Sequence, residues 1–203
     1  ENIYHGRDET VKKIGFYGGS FDPIHLGHIN VGVRILEAGL VDQILFSPAA
    51  LSPAKTGAPP TVSGNHRLNM LQLALEDVPG CDPYDGEIQR GGISFTIDTL
   101  QEIKGELRLI VSEDAACTFD QWKEIDRLLE MAPPIVAFRR QIDKKKFENL
   151  SSSIKEKIEK GRIDTPAMDI SSTEIRERLK KRLYCGHLLP GKVLDYIHQN
   201  TLY

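Results

Sequence analysis

The sequence predicts an α/β protein: a Rossmann-like doubly wound parallel sheet with helices on both faces, read as one domain of 203 residues. Three observations carry that reading. Short β-branched or apolar runs alternate with longer stretches of helical period, an alternation that parallel strands joined by crossover helices require. No repeat, low-complexity tract or Pro/Ser-rich linker divides the chain into further units. The first strand also runs directly into paired glycines and a helix, and such sheets bind ligands at the carboxyl ends of their strands.

The elements follow in order. A strand at Lys13 to Tyr17 leads into Gly18-Gly19, and a helix from about His25 to Ala38 is closed by Gly39 at a left-handed cap. A second strand, Gln43 to Phe46, opens a loop from Ser47 to Thr61 whose prolines 48, 53, 59 and 60 forbid regular structure. A loop of that length is expected to cover a substrate. Ser63 caps a helix with Leu68, Leu71, Leu75 and Val78 on one stripe. Tyr84 to Gln89 reads as a strand, Gly91-Gly92 as a turn, Thr96 to Lys104 as a helix and Leu107 to Ser112 as a strand. A helix from Asp120 to Met131 stops before Pro133-Pro134, and Ile135 to Phe138 is the next strand. Lys144 to Lys160 carries Phe147, Leu150, Ile154 and Ile158 on one stripe, so its lysines form a solvated face. Ser171 to Glu174 reads as a capping box opening a helix to Lys181, and a last helix, Gly191 to Gln199, follows Pro190. The core is expected over about 11–170, with a helical C-terminal part over 171–203.

Composition narrows the class. A net charge of -3 creates no global positive field, so neither nucleic acid nor anionic lipid is an expected partner. No apolar stretch approaches the roughly 20 residues of a membrane span. Cys81, Cys117 and Cys185 are odd in number and widely spaced, which fits reduced thiols and, with no signal peptide visible, a cytoplasmic location.

Residues 18 to 28 read G-G-S-F-D-P-I-H-L-G-H. Gly18, Gly19, Ser20 and Phe21 form the strand-to-helix turn, and His25 and His28 stand one helical turn apart at the positive end of the helix dipole. Free backbone N–H groups, two imidazoles and Gly27 between them suit a phosphate chain with its nucleoside. Two plainer readings stand beside this one: solvent-facing helix residues, or a pair of zinc ligands. The latter lacks a third ligand at characteristic spacing, His66, His187 and His198 being distant candidates.

The pattern G-x-F-D-P-x-H-x-G-H over Gly19 to His28 resembles the signature of the nucleotidyltransferase superfamily, which joins a nucleotide to a phosphorylated substrate and releases pyrophosphate. Ile170 to Arg178, I-S-S-T-E-I-R-E-R, is similar to the superfamily's I-S-S-T-x-I-R motif. From Lys13 to Tyr203 the chain resembles the bacterial nicotinate-nucleotide adenylyltransferases most, notably in E-I-Q-R-G-G-I-S-F-T-I-D-T-L at Glu87 to Leu100. The resemblance implies ATP and nicotinate mononucleotide as substrates and Mg²⁺ with the ATP. It implies His25, His28, Lys55 and Arg176 as catalytic groups, with Gly18, Gly19, Ser20, Phe21, Gly27, Ile170, Ser171 and Ser172 around ATP. Thr96, at the start of a helix, is implied to meet the nicotinate carboxylate, Trp122 to stack on the pyridine ring and Asp114 to contact a ribose. Asp22 is expected to be structural, a turn or helix-cap residue. The tail Leu189 to Tyr203 is read as packing.

The chain departs from the subgroup at several places, among them Phe95 where Tyr is usual and Ala115-Ala116 where larger residues are expected. Ser52-Pro53-Ala54-Lys55 stands where P-P-H-K is usual, keeping the lysine and losing the histidine. Ser112-Glu113-Asp114 stands where G-x-D is usual, placing a side chain where glycine permits close approach. Alternatives therefore remain: adenylylation of nicotinamide mononucleotide or another phosphorylated small molecule, or a nucleotide-binding sensor that does not turn over. Oligomeric state is not legible.

Overall fold

The structure, a computed structural model, describes residues 11–53, 57–138, 144–166 and 168–203. Along the chain run β1 (Lys13–Gly19), α1 (Leu26–Glu37), β2 (Gln43–Pro48), α2 (Gly64–Leu75), β3 (Cys81–Pro83), α3 (Gly86–Arg90), α4 (Thr96–Leu100) and β4 (Glu106–Ser112). After them come α5 (Glu113–Ala116), α6 (Ile125–Met131), β5 (Pro134–Phe138), α7 (Lys144–Glu148), α8 (Ser152–Lys160), β6 (Arg162–Asp164), α9 (Ser172–Lys180) and α10 (Gly191–Gln199).

The strands form one six-stranded sheet in the order β3-β2-β1-β4-β5-β6, and every pairing is parallel. Strand order reverses between β1 and β4, so the carboxyl end of β1 lies at the switch point where doubly wound sheets open a crevice. Strand period two distributes side chains to two cores. On β4, Leu107, Leu109 and Val111 face one core with Ile97, Leu100, Phe119, Leu128, Ile154 and Ile158, while Ile110 faces the other. That second core holds Val31, Ile35, Met70, Leu71, Ile175, Val193 and Ile197, so α1, α2, α9 and α10 cover the face opposite α4, α6 and α8.

Several expectations shift. The strand expected over Tyr84 to Gln89 is the helix α3, and the pairing segment is the three-residue β3, too short for its periodicity to register. Pro83 is tolerated there because β3 is an edge strand. β6 escapes notice for the same reason of length. The helix expected from Asp120 to Met131 is a 3-10 turn at Phe119–Gln121 followed by α6, because Glu124 adopts left-handed backbone at φ 50° and cannot propagate a helix. The Lys144 to Lys160 segment divides into α7 and α8, the latter capped by the Ser151 hydroxyl, which accepts from the Ile154 N–H. Gly39 has the expected left-handed φ of 65°, and Ser171 caps α9 by accepting from Glu174 N–H. All three cysteines are free and buried, and no helix among the described residues is long and apolar enough to cross a membrane.

Candidate active site

The glycines at the end of β1 do not themselves make the left-handed turn. Gly18 and Gly19 lie within β1, paired with Ser47 and Pro48 of β2, and neither has positive φ. The left-handed residue is Phe21, at φ 45° and buried. A Cβ on Gly19 would stand 3.1 Å from the Phe21 ring, and one on Gly18 the same distance from Phe16. Glycine is thus favoured by ring packing, since any Cβ here would press the Phe16 and Phe21 rings aside by a few tenths of an ångström, while the strained turn falls on a bulky side chain that its surroundings must hold in place.

Beyond the turn, the two histidines stack, with ring centroids 3.7 Å apart and planes at 22°. Phe21 meets the His28 ring edge-on at 5.0 Å. His25 is the buried N-cap of α1, and its backbone N–H donates to His28 Nδ1 at 3.3 Å. A backbone amide can only donate, so His28 Nδ1 is the acceptor and the ring's proton resides on Nε2. Gly27 makes room for this arrangement: a Cβ there would lie 3.0 Å from His25 Nδ1 and 3.1 Å from Cε1. Alanine at this position should therefore raise helix propensity by up to about 1 kcal/mol yet displace the His25 ring. Gly27→Ala is expected to hold or raise the melting temperature while lowering turnover about tenfold, on the scale of a misplaced catalytic group. Thermal unfolding and initial-rate kinetics on one preparation separate the two effects.

Across from the histidines sits the N-terminus of α9. Ser172 Oγ donates to the Pro23 carbonyl at 2.8 Å, and Arg176 Nη1 donates to the Asp22 carbonyl at 2.7 Å. The second motif thereby straps α9 onto the first turn, and the hydroxyls of Ser171 and Ser172 are already engaged within the protein. Asp22 is the meeting point. Its buried carboxylate accepts from Thr61 N–H at 2.7 Å and from Tyr203 Oη–H at 2.8 Å, with Arg176 Nη1 3.8 Å away. This agrees with its reading as a structural residue. Tyr203, read as packing, reaches into the same turn, and burial beside this carboxylate pushes its hydroxyl well above the usual tyrosine range.

Together these groups line a cleft of about 620 Å³, walled by Ser20, Phe21, His25, His28, Pro59 to Thr61, Ile170 to Thr173 and Arg176. A larger hollow of about 830 Å³ lies against α2, β3 and Tyr196, and none of the motif residues borders it. Lys55 lies outside the described residues.

The three residues expected at the mononucleotide do not border the cleft. Thr96 begins α4, and Trp122 is partly buried against Phe119, its indole N–H donating to Thr118 Oγ1 at 3.1 Å. Lys123 joins their neighbourhoods, pairing with Asp98 at 2.8 Å and lying over the Phe95 ring. Asp114 is exposed in α5, just past β4 and on the same sheet edge as the cleft.

Upstream of Thr96, the Glu87 to Leu100 segment forms a polar network inside the protein. Thr99 Oγ1 donates to the buried Glu87 Oε1 at 2.9 Å, and Arg90 donates to Thr99 and to Glu102. Gly91 and Gly92 turn the chain at φ 67° and 69°. Burial pushes the Glu87 carboxyl above the usual carboxylate range, so the folded protein holds its proton more tightly than the unfolded chain. Its contribution to stability is full below the ordinary glutamate range and is lost as pH rises through the raised folded value. Glu87→Gln should flatten that loss without lowering stability at neutral pH, as thermal melts from pH 4 to 8 would record.

Arg67 has no counterpart among the residues expected from sequence. It is 1% exposed on the buried stripe of α2, beside Met70, Leu71 and Ala74, and Nη1 donates to the Ser20 carbonyl at 2.8 Å. A cation within an otherwise apolar helical stripe was the legible signal.

A parallel sheet reversing at β1, with a cleft roomy enough for a nucleotide between stacked imidazoles and a serine-capped helix, is the architecture of an α/β protein that holds a phosphorylated ligand at its switch point. The chain belongs to the cytidylyltransferase-like family, whose model matches residues 16–178. It is 35% identical to a "Probable nicotinate-nucleotide adenylyltransferase" of Gemmatimonas aurantiaca, covering 94% of this chain and 92% of that one. A protein of the same name from Hydrogenobaculum sp. is 38% identical, covering 94% and 97%. Among solved structures, Plasmodium falciparum nicotinic acid mononucleotide adenylyltransferase complexed with NaAD superposes with a TM-score of 0.73 at 23% identity, over 95% of this chain and 97% of that one, a likeness of fold.

Proposed function

We propose that the protein transfers the adenylyl group of ATP to nicotinate mononucleotide, forming nicotinate adenine dinucleotide and pyrophosphate in NAD biosynthesis in the cytoplasm. The observation that supports this most is the stacked His25–His28 pair on the wall of the cleft opposite Ser171 to Arg176. In the reaction, a phosphate oxygen of the mononucleotide attacks the α-phosphorus of ATP. The bond from that phosphorus to the bridging oxygen breaks, and the electron pair leaves with pyrophosphate.

Because the nucleophile arrives as an anion and the leaving group is stable, the protein needs to orient two substrates and to stabilise charge on the α-phosphoryl oxygens. His28 Nε2–H is the donor for that charge, with His25 beside it. Arg176, at the cleft wall, and Lys55 act on the rest of the triphosphate, with the backbone at the start of α9 and from Gly18 to Phe21, where β1 ends and the turn begins. Gly27 keeps the histidine pair in register, and Ile170 covers the nucleoside.

Mg²⁺ enters on the triphosphate as part of the substrate. Asp22, the carboxylate on the cleft wall, is committed to Thr61 and Tyr203, and no group of three or more His, Cys, Asp or Glu could hold an ion among the described residues. The mononucleotide lies along the same sheet edge toward α4 and α5, with Thr96 at the nicotinate carboxylate, Trp122 against the pyridine ring and Asp114 at the ribose. The relatives' names support this acid substrate over its amide.

Pyrophosphate release measured with ATP and either nicotinate or nicotinamide mononucleotide tests the reading. Turnover with the acid form well above the amide is expected. Equal rates would remove the carboxylate from the recognition, and ATP binding without any release would make the protein a sensor.

A further inference from the structure

Besides Ser172 and Arg176 of the second motif, the turn is held by groups that belong to neither sequence motif. Phe21 carries the strained left-handed backbone, and its immediate neighbours are gripped from behind: the Ser20 carbonyl by Arg67 Nη1 at 2.8 Å, the Asp22 carboxylate by Tyr203 at 2.8 Å. Arg67 also points Nη2 at the Ala50 carbonyl at 3.5 Å, where the chain leaves β2, while Nε has no partner among the described residues. Asp22 in turn fixes Thr61, at the end of the loop segment from Ala58 to Thr61 that lines the same cleft. Three distant segments, α2, the loop before it and the tail after α10, therefore converge on Ser20 and Asp22, the two residues that flank Phe21.

Stability alone is a poor account of this arrangement. A guanidinium only 1% exposed carries a desolvation cost that an apolar residue of similar volume would not. Burial pushes Arg67 below its usual range while the neighbouring Asp22 and Tyr203 oppose that shift, which places the three groups in one electrostatic unit. Their common product is a defined direction for the backbone that leads into His25.

We propose that Arg67 and Tyr203 are positioning residues for adenylyl transfer, forming with Asp22 a buried lock that holds the Ser20 to Asp22 turn, and through it the histidine pair, at the geometry the triphosphate requires. The inference rests on the function proposed above and names residues for it outside the cleft wall. Neither side chain needs to touch substrate.

The test uses the full chain and the variants Arg67→Lys, Arg67→Met and Tyr203→Phe, with Ile158→Val in the opposite core as a control of comparable small destabilisation. Kinetics of pyrophosphate release, melting temperature and amide hydrogen exchange over residues 18–28 are measured on each. Tyr203→Phe keeps the ring and removes one hydrogen bond, so it is expected to fold, with kcat/KM for ATP down about fivefold and exchange over 18–28 faster. Arg67→Lys should lose about tenfold and Arg67→Met about a hundredfold, the scale of a misplaced reacting group. Ile158→Val should lose stability with kinetics and exchange over 18–28 unchanged. Folded Arg67 and Tyr203 variants with wild-type kinetics and exchange would overturn the lock. A wild-type protein that releases no pyrophosphate would overturn the function instead, and the exchange measurement would still decide whether the lock exists.

Discussion

His28→Ala should lower kcat by about two orders of magnitude while the protein remains folded. The ring is partly exposed at the cleft, and its bond from the His25 amide fixes the tautomer with Nε2–H as donor. A donor already aimed before charge develops on the α-phosphoryl oxygens needs no reorganisation during reaction, and losing one such donor costs about 3 kcal/mol of transition-state stabilisation. Loss of the edge-on Phe21 contact and of the stack with His25 should lower the melting temperature by only a few degrees, since the His28 ring is not part of either core. Steady-state kinetics make the distinction. An equal fall in kcat and kcat/KM marks a group acting in the transition state, whereas a higher KM with kcat intact would assign His28 to ground-state binding and refute its role as the transition-state donor.

Asp22→Ala should be the most destabilising change at the site. The carboxylate is 4% exposed and accepts from a backbone amide and a tyrosine hydroxyl, with Arg176 close by. Its removal leaves Thr61 N–H and Tyr203 Oη–H without an acceptor and deprives the buried Arg67 of the carboxylate that favours its charge. Breaking a buried charge arrangement from one side typically costs about 3–5 kcal/mol, because the other members remain desolvated. For a chain of this size that corresponds to a fall of roughly 10 °C in melting temperature, with lost activity accompanying it. A melting temperature within about 2 °C of wild type would show that water or a rearranged loop replaces the carboxylate without penalty.

The histidine prediction could be framed from the chain alone; the aspartate prediction could not. Both motifs stand in uninterrupted stretches whose residue types and spacing already indicate a strand, a turn and a helix start. His25 and His28 sit three apart at a helix N-terminus, and Ser171 caps α9 by a local bond that its own sequence context dictates. By contrast, Asp22 acquires its meaning from Thr61, Arg176 and Tyr203, at separations of 39, 154 and 181 residues. No periodicity encodes such a meeting, and Arg67 counts in a hydropathy pattern merely as an interruption. The same cause explains β3 and β6, whose three residues are strands through pairing with β2 and β5.

Alternating apolar period was sufficient to settle the parallel α/β class and the helices α1, α9 and α10 to within a residue or two. Those features depend on interactions between near neighbours, which a linear sequence displays. Tertiary structure decided that the turn's strain falls on Phe21, that its glycines make room for aromatic rings, and that the second motif straps the first. These depend on which surfaces fill the same space once the sheet has formed, a matter of packing and buried charge that no local pattern contains.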